Sequence, residues 1–129
     1  MAEKIQLWKD LTPEEQQEEF VRTAYYLQEV IGMEDEEEIN RVVNLMPEMI
    51  DRIGPRSIAR TDRAYLAGAT AMAVAQMLAE DLGYEIVRWE AKDWIKMGQW
   101  MEMDYQEEKE RLAEHIQDTW NLRGIVQKV

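Results

Sequence analysis

No cysteine occurs among the 129 residues, which excludes a disulfide framework, thiolate metal ligation and a thiol nucleophile. Histidine and serine occur once each, as His115 and Ser57. A hydrolytic triad would have to be built on that pair, and no Gly-x-Ser-x-Gly elbow surrounds the serine. The chain also lacks a Gly-x-x-x-x-Gly-Lys phosphate loop and a Gly-x-Gly-x-x-Gly fingerprint. Basic residues are in deficit, 15 against 27 acids, for a formal charge of -12. Such a field repels phosphate and opposes direct binding to nucleic acid or to an anionic membrane. Long apolar runs are missing too. The longest, residues 64–79, falls short of the ~20 residues that cross a bilayer, and the first ten residues mix both charges without an apolar h-region. The expectation is a cytoplasmic, non-enzymatic protein without cofactor, metal or membrane span.

What is present is organised around residues 61–83, TDRAYLAGATAMAVAQMLAEDLG. Between residues 64 and 79 only Gly68, Thr70 and Gln76 are not apolar, and a helix apolar all round is a buried one. Small residues recur at Ala64/Gly68 and at Ala67/Ala71/Ala75/Ala79, a ladder that lets a neighbouring backbone come close. The run predicts a central core helix; burial in a homo-oligomer interface is the other reading.

Caps and stripes place the remaining helices. Thr12-Pro13-Glu14-Glu15 forms a capping box with proline at the first helical position, and Phe20, Ala24, Leu27 and Ile31 continue as a stripe flanked by Val21 and Val30. A second box, Asp35 with Glu38, opens a helix carrying Ile39, Val42, Met46, Met49, Ile50 and Ile53. Pro47 lies inside it and predicts a kink or break near residues 44–46. Residues 84–89 form either a short strand or an extended connector. Helical spacing returns from about residue 90 to 122, with Gly98 as its expected interruption. Gly32, Gly54, Gly83 and Gly124 each follow a helical pattern, where positive φ is commonly needed. The whole reads as all-α: residues 1–129 as a single-domain bundle of about four main helices around the Ala-rich one (about 61–82), with one short extended segment at 84–89 as an option.

Charge is unevenly spread. Residues 1–51 carry net -10, and residues 52–63 carry net +3 from four arginines and one aspartate. Glu34, Asp35, Glu36, Glu37 and Glu38 stand together, read as lying beside Glu14, Glu15, Glu18 and Glu19 of the preceding helix. A helix rises 1.5 Å per residue while duplex DNA carries a charge every ≈ 1.7 Å. Such a lobe suits a basic, nucleic-acid-binding surface of a partner protein, up to mimicry of DNA; a solvated face is the plainer reading. In a helix starting at Pro55, Arg56, Arg60 and Arg63 share one face, where they would grip an anion or pair internally with carboxylates. From residue 94 to 105 aromatics and methionines point at too many angles for one buried stripe, so at least one of Trp100 and Met103 is expected to be exposed or in an interface.

Glu15-x-x-Glu18 and Glu48-x-x-Asp51 resemble the ExxE and ExxD pairs of the MazG-like all-α nucleotide pyrophosphohydrolases. The resemblance implies Mg²⁺ held by those four carboxylates against a nucleotide's phosphates, since hard oxygen ligands at i, i+3 share a helix face. The sequence as a whole favours an acidic inhibitor or adaptor. A bundle that acts by oligomerising and a Mg²⁺-dependent nucleotide hydrolase are its alternatives.

Overall fold

The computed structural model describes residues 7–53 and 63–129, with backbone alone at residues 63 and 64. Over these residues the chain is an all-α bundle of four helices plus one small two-stranded sheet. After a 3₁₀ turn, Trp8–Asp10, helix α1 spans Pro13–Tyr25. Its capping box is formed: the Glu15 N–H donates to the Thr12 hydroxyl at 3.1 Å, and the Thr12 N–H donates to the Glu15 carboxylate at 2.9 Å. A wider, π-type turn, Tyr26–Val30, prolongs α1, and Gly32, at φ +71°, releases the chain from it.

Helix α2 is Glu36–Ile53. Asp35 Oδ1 accepts from the N–H of Glu37 at 2.8 Å and of Glu38 at 3.4 Å, so half of the expected box is formed, but the Glu38 carboxylate does not return to it and turns to Tyr105 and Lys109. The helix also runs unbroken through Pro47. One lost hydrogen bond is outweighed by the buried face on either side of it, Ile39 and Val42 before, Met49 and Ile50 after.

Helix α3, Arg63–Asp81, is central as predicted. Every side chain described from residue 65 to 79 is buried or half-buried, packed between α2 and α4. Strand β1, Tyr84–Ile86, pairs antiparallel with β2, Val126–Lys128, with Tyr84 opposite Lys128 and Ile86 opposite Val126. Of the two readings left open for this segment, the strand is realised.

Between the strands lies α4, Ala91–His115, prolonged by a π-type turn, Ile116–Trp120. Gly98 does not interrupt it. The break falls at Asp104, whose backbone is extended (φ 178°, ψ 104°). Asp104 Oδ1 accepts from the N–H of Gln106 (3.1 Å) and Glu107 (3.4 Å), so it caps the second half of the helix. The Tyr105 N–H, freed from the helix, donates to the Ile31 carbonyl at 3.1 Å. Among the described residues no helix is long and apolar enough to cross a membrane.

Candidate functional site

The α1–α2 hairpin decides where the acids go. The Trp8 N–H donates to Asp51 at 2.8 Å, so the start of α1 lies against the end of α2. The 18 residues of α2 rise about 27 Å. Glu14, Glu15, Glu18 and Glu19 therefore occupy one end of the hairpin and residues 34–38 the other, which corrects the single lobe inferred from their closeness in sequence. Two of the nine acids are not surface charges at all. Glu19 is 2% exposed and lies 3.0 Å from Arg22. Glu38, 7% exposed, accepts from the Tyr105 hydroxyl at 2.9 Å and lies 2.7 Å from Lys109. Burial, and then the charge of Glu38, hold the Tyr105 phenol far above its ordinary pKa.

The fold replaces them with acids from another part of the chain. The break in α4 docks on the loop after α1, and the Glu34 N–H reaches Gln106, so Asp104 and Glu107, which flank these contacts in sequence, lie at the same end of the molecule as Glu34, Asp35, Glu36 and Glu37. All six are exposed. The sequence carried a signal for this: Asp104-x-x-Glu107 has the same cap spacing as Asp35-x-x-Glu38.

The four carboxylates that resemble the pyrophosphohydrolase pairs do share the other end of the hairpin. Glu15 is engaged in its cap, Glu48 lies 3.1 Å from Arg52, and Asp51 accepts from Trp8. Among the described residues no group of three or more His, Asp or Glu side chains is gathered to hold a metal. Arg56 and Arg60 lie outside the described residues, as do Ser57, Gly54 and the side chain of Arg63.

Of the two interface candidates, Met103 is 67% exposed, while Trp100 is half-buried. Arg111 covers the Trp100 ring at 4.3 Å, Lys96 lies 5.2 Å from its centre, and His115 meets it edge-on at 4.9 Å. Desolvation first, then the charge of Lys96, lowers the His115 pKa. The sequence reading missed a second apolar surface. Val21 (58% exposed), Tyr25 (64%) and Val30 line a shallow groove of about 380 Å³ with Tyr26 and Leu66. It adjoins another groove, of about 400 Å³, walled by Tyr65, Gly68, Trp94, Ile95 and Glu102.

Comparison with known proteins finds no matching family model, no matching curated protein and no matching solved structure.

Proposed function

We propose that the protein is an acidic binding module that docks on a basic surface of a partner protein. The observation that supports this is that six exposed carboxylates, Glu34, Asp35, Glu36, Glu37, Asp104 and Glu107, come from two distant parts of the chain that the Glu34–Gln106 and Tyr105–Ile31 contacts hold at one end of the molecule. The nearby cation, Lys109, is occupied by Glu38. Both acidic groups sit at helix starts, where the macrodipole holds carboxylates at little cost to stability. The patch therefore keeps its charge for a partner. Nucleic-acid mimicry is the narrower version, with the partner's own groove as the target.

Replacing Glu34, Glu36, Glu37 and Glu107 by glutamine removes four charges and leaves the capping aspartates in place. The folded variant should lose affinity for a basic, nucleic-acid-binding partner, chiefly through a slower association rate. Wild-type complexes should weaken as salt rises and yield to duplex DNA in competition. Equal binding by the variant, measured by surface plasmon resonance, would reject the reading. A partner that holds this protein and DNA together would reject mimicry alone.

A further inference from the structure

Two helix faces of this chain are complementary to each other, and both are exposed among the described residues, although Lys92 also lies 3.9 Å from Glu90 and Lys96 leans over Trp100. On α1, Glu14, Glu18, Val21 and Tyr25 fall at i, i+4, i+7 and i+11, and all four are exposed. On the first half of α4, Lys92, Lys96, Gln99 and Met103 repeat the same spacing, also exposed, with Ile95 (53%) beside them. Each face is charged in its first two turns and carries an exposed apolar side chain at its far end, Val21 and Tyr25 on α1 and Met103 on α4, where Ile95 also stands among the lysines. The charges are opposite. Of the eight large apolar side chains exposed among the described residues, five belong to these faces and their grooves: Val21, Tyr25, Val30, Ile95 and Met103.

The fold also sets their relative direction. The start of α1 lies by the end of α2 through Trp8 and Asp51. The approach to α4 lies there too, because Arg52 covers the Trp89 ring at 5.6 Å. At the other end the Tyr26 hydroxyl donates to Glu102. The two helices therefore run the same way in one molecule. Their grooves adjoin where Leu66 of one meets Tyr65 of the other on α3. A two-fold axis along both helices would bring α1 of one copy beside α4 of a second, parallel and in register. Glu14 and Glu18 would then face Lys92 and Lys96, and Val21 and Tyr25 would face Gln99 and Met103, the second pair a sulfur–aromatic contact. The rotation makes the same set of contacts twice, as an isologous dimer requires.

We infer that the chain forms a two-fold homodimer through the α1 face of each copy and the α4 face of the other. This does not rest on the proposed acidic docking patch at residues 34–37, so the two ideas fail separately. Net charge of -12 on each copy opposes the encounter at low salt. At physiological salt, fields reach only ~8 Å, and the facing groups decide.

Sedimentation velocity of the full chain across a concentration series in about 150 mM NaCl tests the inference, with circular dichroism to confirm folding of each variant. Wild type should pass from monomer to dimer and stop there. Reversing charge on one face, Glu14→Lys with Glu18→Lys, or Lys92→Glu with Lys96→Glu, should weaken self-association by at least about 100-fold, since like charges then face each other. Mixing the two variants should restore a dimer, now containing one of each, because both contact sets become complementary again. A wild type that stays monomeric, grows past the dimer, or dimerises regardless of the reversals would overturn it, as would failure of the mixture to pair.

Discussion

Gly98 and Gly68 both lie in helices packed against each other, yet they answer to different constraints. A Cβ on Gly98 would stand 3.3 Å from the Ala71 Cβ, so α4 packs tightly on the alanine ladder of α3 here. A Cβ on Gly68 would meet Ile53 and Trp94 at 3.5 and 3.7 Å, ordinary contact. Of the small residues expected to admit a neighbour, Ala71 makes the tight contact and Gly68 does not. Glycine inside a helix costs about 0.5–1 kcal/mol relative to alanine. Gly68→Ala should therefore raise the urea midpoint by an amount equivalent to that gain. Gly98→Leu should lower it, by about 1–3 kcal/mol for an overpacked crossing. Equal responses at the two positions would mean that the helices do not cross at residue 98.

Among the elements, α4 shows most clearly what a sequence pattern hides. Its apolar residues Trp94, Met97, Met101, Tyr105, Leu112 and Ile116 are all buried, and that stripe reads as one continuous helix. The extended residue at 104 lies between two members of the stripe, so periodicity passes over it. Only the Asp-x-x-Glu spacing marked the second start. Asp104→Ala should cost about 0.5–2 kcal/mol, the range for a lost N-cap. It should also raise hydrogen exchange at the amides of Gln106 and Glu107 ahead of the rest of α4; a loss spread evenly over the helix would argue against a cap. By contrast the Thr12–Glu15 box and the positive-φ glycines 32, 83 and 124 were legible, because each is a local chemical requirement. Of the kink or break expected at Pro47, the break does not occur: the local cost of proline is real, and long-range packing keeps the helix continuous. The site was legible only in part. The acidic run is plain in sequence, but its division between two ends of a hairpin, the burial of Glu19 and Glu38, and the arrival of Asp104 and Glu107 all follow from tertiary packing. Val21 and Val30 were read as flanks of a core stripe, since an apolar residue on an outward helix face looks the same in sequence as one facing in.

At the scale of the whole molecule, ion pairs and surplus charge pull in opposite directions. Arg41 of α2 reaches Asp81 and Glu80 at the end of α3, at 2.8 and 3.6 Å, and its pKa is raised chiefly by the Asp81 hydrogen bond. Arg123 joins Glu90 at 2.7 Å and also pairs with Asp93, tying the last turn to the start of α4. Lys109 ties α4 to α2 through Glu38. The exposed Arg41 pairs contribute about 0–1 kcal/mol each, while Glu38 and Asp93 are buried acids whose partners chiefly spare them an uncompensated charge. Against them stands a net charge of -12 in a chain of 129 residues, which repels itself in the compact state. Salt separates the two effects by distance. In about 10 mM salt the Debye length is ~30 Å, long enough for the acidic ends of the hairpin to feel each other, whereas in about 150 mM it is ~8 Å. Pairs in direct contact lose little over that interval, and the distant repulsion is largely removed. The thermal midpoint should therefore rise as NaCl is increased between those limits at pH 7. Chloride is the appropriate anion, since sulfate strengthens burial by exclusion. The protein must be dilute, so that association does not add its own stabilisation. A midpoint that falls with salt would mean that the interhelical pairs, and not the surplus of acids, dominate the electrostatics of the folded chain.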